Sequence, residues 1–164
     1  MVRKTHSLRL RIFLFPLFAV FLAGCSLHGG ADISPHEYGR GVGVMKSARA
    51  QIGTKYKRAG QSPATGFDCS GLVWWCYDQH GISVPRITTA QLKTGEAIKK
   101  SQIRPGDILL FRINSKEWHS GIYSGGNKFI HSPKPGAKVR EESLQIAYWA
   151  KRYYTARRPK DLRQ

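Results

Sequence analysis

The stretch Gly66-Phe67-Asp68-Cys69-Ser70-Gly71-Leu72-Val73 decides how the chain is read. Gly66 is a turn former, Asp68 is a favoured N-cap residue, and an apolar helical run follows, so a helix begins at the cysteine. The first turn of a helix has unpaired backbone N–H groups and the positive end of the dipole, and both stabilise negative charge there. The thiolate is the reactive form of cysteine, which makes Cys69 a candidate nucleophile. The plainer reading is a small buried hydrophobe, as most free cysteines are. A base elsewhere in the chain separates the two.

That base is sought downstream. Trp118-His119-Ser120-Gly121-Ile122-Tyr123-Ser124 and Lys128-Phe129-Ile130-His131-Ser132 flank Gly125-Gly126-Asn127, a hairpin signal. A three-residue loop pairs Ser124 with Lys128, Ile122 with Ile130, and Gly121 with His131. Side chains alternate across a strand, so the two isoleucines share the core face. His119, Tyr123, Phe129 and His131 share the other, with the histidines as diagonal neighbours. A slip of one residue would send the histidines to opposite faces. Nucleophile, base and orienter then form a Cys-His-His set. A zinc site from the same three residues is the rival reading, though zinc favours tighter structural spacings and a fourth ligand.

Around these segments the pattern is helices first, sheet later. Val44, Ala48 and Ile52 repeat at helical spacing, and Gly53 ends that helix. Tyr56 to Gly60 is a turn-bounded segment and Gln61 to Gly66 a loop. The central helix runs to His80, with Leu72, Val73, Cys76 and Tyr77 on one side, and Gly81 ends it. Thr88 or Thr89 caps a short helix through Leu92. Ile108-Leu109-Leu110-Phe111 is a continuous apolar strand, buried on both faces. Lys138 to Arg140 is a further short strand, Leu144 to Arg152 is helical or irregular, and Tyr153 to Arg158 closes the sheet. The expected class is α+β, with N-terminal helices packed on a central antiparallel β-sheet.

The first 24 residues read as a leader. Arg3, Lys4, Arg9 and Arg11 precede the apolar run Ile12 to Phe21, which is too short to span a bilayer comfortably. Leu22-Ala23-Gly24-Cys25 resembles the bacterial lipobox, in which the cysteine is lipidated and becomes the mature N-terminus. Ser26 at the next position implies, by the same resemblance, an outer-membrane anchor facing the periplasm. Residues 25–43, rich in glycine, read as a lipidated N-terminus and flexible tether, and residues 44–164 as one domain. Of the three cysteines, Cys69 and Cys76 then remain. Seven positions apart on a helix, their Cα atoms are about 10 Å apart, too far for a disulfide. Cys76 reads as core packing.

The full chain carries a formal charge of +17. That favours a polyanionic partner: nucleic acid, anionic lipid or a wall polymer. An exported lipoprotein rarely meets DNA or RNA, so the cell envelope is expected and a nucleic-acid partner is not. A solvated basic surface with no specific partner is the plainer alternative.

Taken together, several pieces resemble the NlpC family of papain-like bacterial cell-wall cysteine peptidases, most closely the Spr-type murein endopeptidase lipoproteins. They are Tyr56 to Gly60, Asp68 to Val73, Pro85-Arg86, Arg104-Pro105-Gly106-Asp107-Ile108, His119 to Tyr123, Phe129-Ile130-His131 and Tyr148 to Tyr153. The resemblance implies Cys69 as nucleophile, His119 as general base and His131 as the residue that orients it. It implies Tyr56 as an aid to the oxyanion, and Asp68 and Ser70 as holders of a substrate amine. Tyr56 as core packing, Asp68 as a cap alone and Ser70 as a packing residue are the plainer readings. It implies no metal or cofactor, peptidoglycan stem peptides rather than nucleic acid as the partner, membrane attachment through Cys25, and a monomer. Acyl or amide transfer on the same fold, and wall binding without turnover, are the alternatives. Ala59-Gly60 departs from the family's frequent Gly-Gly, and Ser120 from its usual Val.

Overall fold

The computed structural model describes residues 35–163; the leader, Cys25 and the stretch to residue 34 lie outside the described residues. Helix α1 (Pro35–Ala50) is followed by a small hairpin of β1 (Gln61–Ser62) and β2 (Gly66–Phe67), then α2 (Cys69–Asp78) and the one-turn α3 (Thr88–Gln91). The main sheet contains β3 (Glu96–Ile98), β4 (Ile108–Arg112), β5 (Trp118–Gly125), β6 (Lys128–His131), β7 (Arg140–Ser143) and β8 (Tyr153–Arg158), with α4 (Ala147–Ala150) before the last strand. Its order is β3-β8-β4-β5-β6-β7, and every pair is antiparallel. This is the expected α+β arrangement. No helix among the described residues is long and apolar enough to cross a membrane.

Alternation along the strands divides the core in two. Ile108, Leu110, Ile122 and Ile130 face α2, whose Leu72, Val73, Cys76 and Tyr77 are fully buried against them. Leu109, Phe111 and Phe129 face the other way and pack beneath Trp149 of α4. Strand β4 is therefore buried on both faces, as its unbroken apolar run requires. Burying such side chains contributes about 1.5–3 kcal/mol each, so the sheet is a rigid base for what its ends carry.

Some expectations need correction. The helix begins at Pro35, so residues 35–43 are not tether. Gly41 and Gly43 serve close packing: a Cβ on Gly41 would lie 2.5 Å from the Pro105 carbonyl oxygen, and one on Gly43 2.8 Å from the His80 ring. Ile52 lies past the helix end and is 46% exposed, not core. The expected loop from Gln61 to Gly66 contains the β1–β2 hairpin. Thr88 opens α3 without capping it; Ile87 occupies the N-cap with no side-chain bond. The strand expected at Lys138 to Arg140 runs from Arg140 to Ser143.

The β5–β6 turn differs in an instructive way. Ile122 pairs with Ile130 as expected, but Gly125, not Ser124, pairs with Lys128. Gly126 and Asn127 both have φ of 57°, as a two-residue type I′ turn demands. A bulge at Ser124 takes up the extra residue, so the register beyond it, and the shared face of the histidines, are those expected.

Ala59 sits at φ 58°, a conformation that costs a non-glycine residue about 1–2 kcal/mol. Its side chain is exposed and packs on nothing that would be lost. Ala59→Gly is expected to stabilise the fold by about 0.5–1 kcal/mol after the entropy of the unfolded glycine is offset. A urea midpoint that stays level or falls would contradict this.

Candidate active site

Helix α2 starts at Cys69 because Asp68 caps it, its Oδ1 accepting from the Gly71 N–H at 2.6 Å. Gly71 permits the close approach of the preceding chain, since a Cβ there would lie 2.0 Å from the Gly60 carbonyl oxygen. The Cys69 side chain is half-buried, and its Sγ lies 3.7 Å from Thr88 Oγ1. Cys76, two turns on, is fully buried and its thiol is pushed up by burial, which leaves it inert packing.

Asp68 and Ser70 are held by an arginine. Arg86 Nη1 and Nη2 each donate to an Asp68 oxygen at 3.0 Å, and Nη1 donates to Ser70 Oγ at 3.1 Å. The same guanidinium reaches the Gly60 carbonyl at 3.0 Å and, through Nε, Gln61 Oε1 at 2.9 Å. The Asp68 carboxylate is thus cap and ion-pair partner together, and Arg86 ties the start of α2 to the β1–β2 hairpin. Pro85-Arg86 stands out in the sequence, but nothing there reveals its partners.

The histidines meet on the aromatic face of the sheet. His119 Nε2 lies 2.8 Å from His131 Nδ1, and His131 Nε2 lies 2.7 Å from Glu142 Oε2. The Trp149 indole N–H donates to the same Glu142 oxygen at 2.9 Å, and Arg140 pairs with the other at 3.1 Å. Trp149 stacks on His119, ring centroids 5.3 Å apart, and meets His131 edge-on. Trp149 stands in the sequence only as part of the stretch Tyr148 to Tyr153, with no site role read for it, and Glu142 is not singled out there at all; Glu142 lies on β7 beside β6, a pairing no local pattern displays.

Burial under Trp149 sets the protonation state. It pushes His119 down to about 4. It pushes His131 down to about 2, with the neighbouring His119 and Arg140 charges adding to the effect. Both rings are neutral near pH 7. A carboxylate only accepts, so His131 Nε2 carries the hydrogen toward Glu142 and its Nδ1 is an acceptor. His119 Nε2–H therefore donates to it, which leaves His119 Nδ1 with a lone pair, ready to take a proton.

Two links bring the halves together. Helix α2 packs against β5, the strand of His119. Ser132, next to His131, donates to the Phe67 carbonyl at 2.7 Å, two residues before Cys69. Tyr56 bridges in parallel to Phe67. Its phenol is raised above the usual value by burial first and then by the charges of Cys69 and Asp68, so it stays protonated.

Removing the Glu142 charge tests the histidine chain. A unit charge acting through two hydrogen bonds at an effective dielectric near 20 is worth about 2 kcal/mol. Glu142→Gln is expected to lower kcat/KM by about 10- to 100-fold with little change in melting temperature. Activity should fall as pH drops through about 4, where His119 protonates and ceases to accept. The variant should move that limb to lower pH, because an anion that favours imidazolium is gone. A loss of rate with an unmoved limb would assign Glu142 a packing role only.

Residues 53–158 match the model of the NlpC/P60 family. The chain is 40% identical over 128 residues to murein DD-endopeptidase MepH of Escherichia coli, covering 73% of this chain and 47% of that protein. It is 41% identical over 107 residues to murein DD-endopeptidase MepS/murein LD-carboxypeptidase of the same species, covering 65% and 56%. The chain thus spans about half the length of these curated relatives. Among solved structures, an NlpC/P60 family protein from Bacillus cereus superposes with a TM-score of 0.67 at 30% identity, over 72% of this chain and 39% of that one. The NlpC/P60 domain of the peptidoglycan hydrolase SagA gives 0.63 at 32%, over 72% and 97%. With its helix-start cysteine, its paired histidines and its sheet, this chain belongs to the NlpC/P60 family.

Proposed function

We propose that the protein hydrolyses amide bonds in the stem peptides or cross-links of peptidoglycan, with Cys69 as nucleophile. The observation that carries this reading is the buried chain His119–His131–Glu142, which leaves a free acceptor at His119 Nδ1 on the strand against which the cysteine helix packs. His119 takes the thiol proton as Cys69 attacks the carbonyl, then gives it to the leaving amine. Water resolves the acyl-enzyme with His119 again as base. Backbone N–H groups at the start of α2 and the protonated Tyr56 hydroxyl hold the oxyanion, one such donor being worth about 3–4 kcal/mol. His131 orients the base, and Asp68, Ser70 and Arg86 form the wall on the nucleophile's side. Relatives named as murein endopeptidases support the substrate class.

In this reading the leader is removed, Cys25 carries lipid, and the enzyme works from the outer membrane into the periplasm as a monomer. Its basic surface suits a polyanionic wall. Purified peptidoglycan incubated with the protein is expected to lose cross-linked dimers, with products identified by mass spectrometry. Stems cut after D-Glu would keep the mechanism and change the specificity. Transfer of the acyl group to an added amine in place of water would make it a transferase. Tight wall binding without products would make it a binding protein.

A further inference from the structure

One short segment grips the start of α2. Arg86 holds Asp68 and Ser70, the two neighbours of Cys69 in the chain. Gln91 is fully buried, and its Nε2 donates to the Ser70 carbonyl at 3.1 Å and to the Pro85 carbonyl at 2.8 Å. Thr88 lies between these two anchors, at the first position of α3. It is 9% exposed, and its hydroxyl lies 3.7 Å from Cys69 Sγ, its one hydrogen-bond partner among the described residues. The anchors therefore fix where that hydroxyl stands relative to the sulfur.

The direction of this hydrogen bond depends on the charge of the sulfur. A thiol is a weak donor and a weak acceptor, so the neutral contact contributes little. A thiolate only accepts, so the Thr88 O–H is then the donor, and a hydrogen bond to an ion is about twice as strong as one between neutral groups. The contact is worth more in the ionised state and shifts the balance towards thiolate. The other titratable or charged groups around the sulfur are Asp68, paired with Arg86; Tyr56, which also feels Arg58 and Glu117; and His119, the base. All of them stay in place when Thr88 is changed.

We propose that Thr88 is a further catalytic residue, whose hydroxyl donates to the Cys69 thiolate. This rests on the hydrolytic reading above and adds to it a group that touches the reacting atom. The proton balance is unchanged: the thiol proton passes to His119, and Thr88 keeps its own. As the S–C bond forms, negative charge leaves the sulfur for the carbonyl oxygen and the hold of the hydroxyl weakens. When water resolves the acyl-enzyme the S–C bond breaks and the sulfur departs with the electron pair. The hydroxyl then donates to it again, which makes it the better leaving group.

The test compares two variants in the full chain. Thr88→Val keeps the shape of the side chain and removes the hydroxyl; Thr88→Ser keeps the hydroxyl. Iodoacetamide labelling of the peptide that carries Cys69 is timed by mass spectrometry over a range of pH. Thr88→Val should raise the labelling midpoint by about one pH unit, a tenfold shift from thiolate to thiol and the low end for a hydrogen bond to a charged group. A thiolate of higher pKa is also the stronger nucleophile, by about threefold per unit. Labelling should therefore be about threefold slower than the parent's below both midpoints and about threefold faster above both. The two profiles cross, which a loss of packing alone does not produce. Thr88→Ala, which removes the hydroxyl without adding bulk, should repeat the valine result, and Thr88→Ser should follow the parent. Valine and alanine profiles that coincide with the parent's, or a serine profile that follows theirs, overturn the proposal. If the parent releases no fragments from peptidoglycan, the hydrolytic reading fails, and the labelling profiles still decide the role of Thr88.

Discussion

Cys69→Ala is expected to abolish turnover, by on the order of 10⁴–10⁶, and to leave a folded protein. The loss is large because the nucleophile, base and orienter act as a unit: without the thiol, His119 Nδ1 has no proton to accept. The fold should survive because the side chain is only half-buried and its polar contact is a single Thr88 hydroxyl at 3.7 Å. Alanine also suits the first turn of a helix. Thermal unfolding should differ from the parent by less than about 1 kcal/mol. Alkylation gives a second view of the same site. Iodoacetamide should label Cys69 in the folded parent and leave Cys76 untouched, since burial pushes the Cys76 thiol up and shields it. A Cys69→Ala protein that still releases wall fragments would remove Cys69 from the mechanism altogether.

Arg158→Ala is expected to have the largest effect on stability, about 3–5 kcal/mol. Asp107 is 1% exposed, and Arg158 donates to both of its oxygens, from Nε at 2.8 Å and Nη2 at 2.7 Å. The Arg104 backbone N–H adds a third bond at 2.8 Å. This cluster pins the start of β4 to β8, its neighbour in the sheet, with β3 and β5 on their outer sides. Without the arginine the carboxylate is left buried with one backbone donor. Burial already raises Asp107 above the ordinary carboxylate range, against the opposing pull of Arg158. In the variant that pull is gone and the folded value rises further. A carboxyl whose folded value lies above its unfolded one destabilises the fold when ionised, so the deficit should shrink as pH falls through the folded value. Urea unfolding at several pH values reads both the size and the slope. A deficit below about 1 kcal/mol would show that the pair is replaceable by water. Asp107→Leu combined with Arg158→Leu should recover most of the loss, because no unpaired charge is left behind.

Legibility followed range. The Asp68 cap, the start of α2 at Cys69 and the four buried positions of its inner face are local, and capping chemistry and helical spacing predict them. The shared face of His119 and His131 was also legible, since Ile122 opposite Ile130 leaves one register that keeps both isoleucines in the core. Where glycine was read as freedom, the reading failed: Gly41 and Gly43 lie inside α1 because neighbouring backbone and a ring approach them closely. Small size and flexibility look the same in a sequence, and only the neighbour tells them apart.

The sequence by itself determined where α2 and its first-turn cysteine begin, the pairing of the two histidines and the family, because each depends on local chemistry or on one hairpin's alternation. Tertiary structure alone decided what surrounds them. Glu142 reaches His131 through strand pairing, Trp149 covers both rings from α4, Arg86 grips Asp68 from 18 residues away, and Ser132 ties the two halves at Phe67. These contacts join residues whose separation along the chain has no periodicity to betray it. They also set the protonation of the histidines, because burial is a property of the assembled fold.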